Sequence, residues 1–130
     1  MQKTILMMLL AVVSNSAMAE WVKVFFNDTE TIYADFASVQ NEESNTVKMP
    51  NLSDYKTPKK TRNGITYSSM IEPVRYDCKE GKLQALSLAM YSKNMGNGKM
   101  VFSESFTKEW IPVDTDSIDH VLWKFACGKK

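Results

Sequence analysis

Two hydrophobic rhythms follow one another along this chain. From Trp21 to Phe106 apolar side chains recur mostly at every second position, the period of strands. In Glu20–Phe26, Trp21, Lys23 and Phe25 alternate with Val22, Val24 and Phe26. Both faces are largely apolar, which predicts a well-buried strand. Asn27-Asp28 is a turn signal, and Thr31–Asp35 is a second strand that completes a hairpin. Phe36–Asn45 is polar and reads as a turn with a short pairing segment. Thr46–Leu52 carries Val47, Met49 and Leu52, with Pro50 inside it, which predicts an edge or interrupted strand. Tyr55–Gly64 reads as the longest loop. Strand character resumes over Ile65–Cys78, with Pro73 as a bulge or bend. Glu80-Gly81 turns the chain into a strand over Lys82–Tyr91. Asn94–Gly98 is a glycine-rich hairpin loop, and Lys99–Phe106 is the returning strand.

The period then changes. Trp110–Val113 is extended, because Pro112 disfavours helix at Ile111. Ile118, Val121, Leu122 and Phe125 stand at i, i+3, i+4 and i+7, one face of a helix. Asp116 suits its N-cap and Asp119 its first turn; Gly128 suits its stop, with Lys124, Lys129 and Lys130 near the negative end. The fold class expected is α+β: an antiparallel sheet of about six strands with one C-terminal helix packed on it, closed by one disulfide.

The first nineteen residues follow neither rhythm. Lys3 is a positive n-region, Ile5–Val13 an apolar core, and Ala17-Met18-Ala19 an A-x-A cleavage site. This is the pattern of a secretory signal peptide, too short for a membrane span of roughly twenty residues. The expected mature chain is one domain, residues 20–130. The residue after the cleavage site is Glu20 rather than Cys, so there is no lipobox, and no later run is apolar enough to cross a membrane. Export to the periplasm or the exterior is expected, with surface display unsupported by a lipid anchor. The precursor holds 16 Lys+Arg and 15 Asp+Glu; loss of Lys3 leaves 15 against 15. A neutral chain argues against nucleic acid, which needs a basic face.

Export also decides the cysteines. Cys78 and Cys127 are the whole complement, 49 residues apart, without a C-x-x-C motif. In an oxidising compartment a single pair is a structural disulfide. Closing a loop of this length stabilises by about 4 kcal/mol in the chain-entropy model, a large share of the ~5–15 kcal/mol of a typical domain.

Catalytic chemistry is hard to place. His120 is the one histidine, on the predicted helix, with no nucleophile suggested beside it. G-x-S-x-G and S-x-x-K are absent. One histidine and two oxidised cysteines do not make a metal site, and no cofactor is expected. Asp114, Asp116 and Asp119 lack the glycine and closing Glu of a calcium loop and read as helix-start charges. Asn94–Gly98 lacks the Lys-Ser/Thr ending of a phosphate loop. Trp21, Tyr67 and Trp110 read as core. The surface feature that stands out is the basic loop Lys56, Lys59, Lys60 and Arg62, with no acidic residue among them. It is the candidate contact for a protein or an acidic polysaccharide.

The order of these features is itself informative. A Trp-bearing start (Glu20-Trp21-Val22-Lys23-Val24) is followed by Tyr33-Ala34-Asp35-Phe36-Ala37-Ser38-Val39, a Y-x-D-x-x-S-V element. Then come Asp77-Cys78, the Met95-Gly96-Asn97-Gly98 turn, Trp110 with Pro112, and a last Cys127. This layout resembles the surface-adhesin protein E-like domain family of Gram-negative bacteria, over essentially the whole mature chain. The resemblance implies a small antiparallel sheet with a helix and one disulfide, and a non-enzymatic envelope or secreted domain. In adhesive members it implies binding of host-cell and matrix proteins. Those members are lipoproteins, and this chain lacks the lipid-accepting cysteine. No binding residue carries over. The function expected is an exported non-enzymatic binding module; the alternative is a small periplasmic enzyme or enzyme inhibitor. The oligomeric state stays open, a homodimer included.

Overall fold

The computed structural model describes residues 20–128. The signal-peptide reading, and Lys129 and Lys130, lie outside the described residues. Among the described residues the elements are β1 (Trp21–Phe26), β2 (Glu30–Asp35), β3 (Gln40–Asn41), β4 (Thr46–Lys60), β5 (Thr66–Asp77), β6 (Lys82–Ala85), β7 (Ser87–Tyr91), β8 (Met100–Ser105), β9 (Ile111–Pro112) and the α-helix α1 (Ile118–Gly128). All strands join one antiparallel sheet. Its spine runs β1-β2-β4-β5-β6-β9, with β3 against β4, and with β7 against β5 and β8. The sheet thus has nine strands where about six were expected. Two of the additions, β3 and β9, are two residues long, and the third arises because the expected strand over Lys82–Tyr91 is split at Leu86.

That split and a second one have the same cause. Pro50 and Pro73 face each other in the β4–β5 ladder. Neither has an N–H, so this pair can only occupy a non-hydrogen-bonded position of that ladder. The missing donors then point outward. Pro50 points to the gap between β2, which ends its pairing at Asn51, and β3, which starts at Lys48. Pro73 points to the gap between β7 at Ile71 and β6 at Val74, where its carbonyl accepts from Leu86 N at 3.2 Å. β4 is therefore central and unbroken. The expectation of an edge or interrupted strand is corrected: the flanking strands break instead.

The turn between β2 and β3 is built by the Y-x-D-x-x-S-V element. Asp35 is 1 % exposed and caps a 3-10 turn over Phe36–Ser38. Its carboxylate accepts from Ala37 N at 3.1 Å and from Ser38 Oγ at 2.8 Å. The two hydrogen bonds offset the burial of a charged group.

The core lies between the sheet and α1. Ile32, Ala34, Val47, Met49, Val74, Tyr76 and Leu83 meet Leu122 and Ala126 there. The helix face is rotated from the expected one. Ile118, Leu122 and Ala126 point inward, while Phe125 is 37 % exposed and stacks on Phe36 at 5.2 Å. Two ties set this rotation: Trp123 Nε1 donates to the Asp77 carbonyl at 2.9 Å, and Cys127 bonds to Cys78. The helix cap is Ser117 rather than Asp116, its Oγ accepting from His120 N at 3.3 Å. β1 is also corrected. It is an outer strand of the sheet with Phe26 65 % exposed, because α1 covers only one of its two apolar faces. Trp110 is half-exposed rather than core, since it precedes the two-residue β9 at the sheet margin.

Candidate functional site

The basic segment is not a loop. β4 continues to Lys60 and pairs back through Lys59 with Tyr67 and Lys60 with Thr66, so Lys56, Lys59 and Lys60 lie on a strand. Arg62 sits in the tight turn, closed by Thr61 N to Ile65 O at 2.9 Å and Gly64 N to Thr61 O at 3.0 Å. The expectation failed because Pro58 and the charges break the apolar alternation. The structure absorbs Pro58 in a bulge, where residues 55–58 of β4 face the single residue Ser68 of β5. On the other side the bulge is held by Lys56 N donating to the Thr29 carbonyl at 3.0 Å.

All four cations are exposed. Two aromatic rings lie at their base: Tyr55 and Tyr67 meet edge to face at 5.7 Å, and Lys59 Nζ sits 4.8 Å above the Tyr55 ring. Burial pushes the Tyr55 hydroxyl up to about 12, only partly offset by a hydrogen bond with Ser53, so it is neutral at physiological pH. Sequence reading missed this aromatic pair. Tyr55 and Tyr67 stand just outside the charged run, and only the β4–β5 register brings them together.

The glycine-rich turn clamps the hairpin's root. Asp54 Oδ1 accepts from Met95 N at 2.7 Å and Asn94 Nδ2 at 3.0 Å, and Asn94 Nδ2 also donates to the Tyr55 carbonyl at 2.9 Å. Ser69 Oγ donates to the Lys93 carbonyl at 2.6 Å and accepts from Gly96 N at 2.9 Å. Gly96 is required by its φ of +71° and by the approach of Ile71, whose Cδ1 would lie 3.0 Å from an added Cβ.

A second concave feature opens on the helix side. A groove of about 370 Å³ lies between the first turn of α1 and strands β2, β4 and β5. Asn51 and Glu72 are direct cross-strand partners on its floor, and Asp119 comes from the helix. Desolvation raises the Glu72 carboxyl above its ordinary range, as does the neighbouring Asp119 charge, with Lys108 acting weakly the other way. Desolvation also raises Asp119. Asn51 Nδ2 donates to the Tyr76 hydroxyl at 2.8 Å, whereas Asn51 Oδ1 is buried without a hydrogen-bond partner.

The other sequence candidates are spread apart. His120 stacks on Trp123 at 5.9 Å. Asp114 Oδ1 accepts from Asp116 N at 3.3 Å, as helix-start charges do. Among the described residues no three His, Cys, Asp or Glu side chains converge as a metal site would need. No helix among them is long and apolar enough to cross a membrane.

The family model described as surface-adhesin protein E matches residues 21–128. The chain belongs to this family. The match spans every element from β1 to α1, including both cysteines. Among solved structures, Haemophilus influenzae protein E is similar at 12 % identity and a TM-score of 0.64, covering 86 % of each chain. Its crystal form II gives 11 % identity and 0.61, covering 86 % of this chain and 97 % of that one. Protein E from non-typeable Haemophilus influenzae gives 12 % and 0.61, covering 86 % and 78 %. At these identities the likeness is one of fold: the antiparallel sheet with a C-terminal helix. No curated protein matches the chain significantly.

Proposed function

We propose that this surface-adhesin family member is an exported, non-enzymatic binding module of the bacterial envelope. It recognises an acidic partner, a protein or an anionic polysaccharide, through the β4–β5 hairpin. One observation carries the reading: Lys56, Lys59, Lys60 and Arg62 are all exposed on one braced hairpin, and none has a salt-bridge partner among the described residues. Cations in this arrangement act on a partner over about one Debye length, ~8 Å at physiological salt. The Tyr55 ring, buried beneath Lys59, helps to hold that cation in place.

Immobilised heparin serves as the polyanion probe and an acidic protein of similar charge as its counterpart. Retention should fall with added salt, and replacing the four cations by serine should abolish it. Equal retention of the wild type and the four-serine variant, with no salt dependence, overturns the reading. Added protease on intact cells then separates surface display from periplasmic residence.

A further inference from the structure

We propose that the groove beneath the first turn of α1 binds a primary alkylammonium group, the ammonium between Glu72, Asp119 and Asn51 Oδ1 and its alkyl stem along Ile32, Ile118 and Leu122. The polar end of the groove is rich in acceptors. Glu72 and Asp119 lie close enough to repel, Glu30 stands at the rim, and none of the three forms a salt bridge among the described residues. The Asn51 side chain is 8 % exposed, and its Oδ1 is the one buried side-chain acceptor there without a donor. An ammonium carries three donors and no acceptor, the complement of this set. Hydrogen bonds between an ammonium and carboxylates are among the stronger ones in a partly desolvated site. Ile32 and Leu122 are buried and Ile118 half-buried, so the walls suit methylenes rather than a hydrated ion. The ligand set is too sparse for a metal ion.

The groups facing the site are Glu30 on β2, Glu72 on β5, Asp119 on α1, Lys108 before β9 and the Tyr76 hydroxyl. Lys108 favours ionised Glu72, and burial and the Asp119 charge oppose it. Asn51 Oδ1 is closed to solvent in the empty groove, with Glu72 as its cross-strand neighbour. An arriving ammonium reaches that acceptor as the Glu72 side chain turns aside, and it favours the carboxylate form of Glu72, whose raised carboxyl gives up its proton more readily in the complex. Affinity should therefore rise with pH.

The test is a titration of the purified protein with n-butylammonium, cadaverine and Nα-acetyl-lysinamide, followed by the side-chain amide signal of Asn51. Tetramethylammonium, which has no N–H, and butanol, which has no charge, are the controls. We expect saturable shifts with the three amines, none with the controls, and tighter binding at ~pH 7.5 than at ~pH 5. Glu72→Gln should weaken binding about tenfold or more, from the loss of one charged hydrogen bond. Asp119→Asn supplies the same comparison from the first turn of α1, outside the core. Cadaverine binding more tightly than acetyl-lysinamide assigns the groove to free amines, and the reverse assigns it to lysine side chains; both uphold the ammonium site. Equal binding by wild type and both variants, or an Asn51 signal that no amine moves, overturns it.

Discussion

Pro50 and Pro73 stand opposite one another in the two longest strands of the sheet, and each faces a break in the strand beyond. Placed there, two residues without N–H groups cost the ladder nothing, because no hydrogen bond is due at either site. Their neighbours differ. Met49 and Val74 form the adjoining, hydrogen-bonded pair. Val74→Pro should cost about 3 kcal/mol or more, while Pro50→Ala should stay near 1 kcal/mol. Urea unfolding of the two variants measures the difference, and equal midpoints would contradict the assignment.

The Cys78–Cys127 bond ties the end of β5 to the last turn of α1, with Cα atoms 5.5 Å apart. Replacing both cysteines by serine should lower stability by about 2–5 kcal/mol. The denatured, non-reduced protein should show no titratable thiol. Two thiols in that assay would refute the bond.

Glu72 and Asp119 both have carboxyls raised by burial. The folded state therefore binds protons more readily than the unfolded chain. Their unfavourable effect is absent below the ordinary carboxylate range and grows as pH rises through the raised folded values. Glu72→Gln should stabilise the protein near neutral pH and have little effect at ~pH 4. Thermal melts across that range test it. A Glu72→Gln variant destabilised at neutral pH would reverse the sign and sink the argument.

Gly98 and Gly64 both hold left-handed backbone, with φ of +78° and +85°. An alanine at Gly64 meets open space, so only the backbone term of roughly 1–2 kcal/mol applies. At Gly98 the added methyl would also collide with Ser92 Oγ, which accepts from Lys99 N at 2.9 Å. Gly98→Ala should thus be clearly more destabilising than Gly64→Ala. Chemical denaturation of both variants settles the order.

Much of this protein is written in short-range pattern. The β1–β2 hairpin follows from alternation around Asn27-Asp28, and the C-terminal helix from one 3.6-residue run. The disulfide follows from two cysteines in a chain that carries an export pattern. Each depends on neighbours in sequence, where backbone period and turn chemistry act directly. What the chain could not show locally is which side of each pattern meets something. Phe26 and Phe125 read as core but are exposed, because the sheet has an edge at β1 and α1 is rotated by Trp123 and Cys127. The Lys56–Arg62 segment read as a loop but is a bulged hairpin, since a partner strand can supply hydrogen bonds that a broken pattern hides. The acceptor groove was illegible altogether. Asn51, Glu72 and Asp119 come from β4, β5 and α1 and carry no mark in sequence. Only the register of the strands and the docking of the helix place them together, and the desolvation that changes their chemistry exists only once that packing is made.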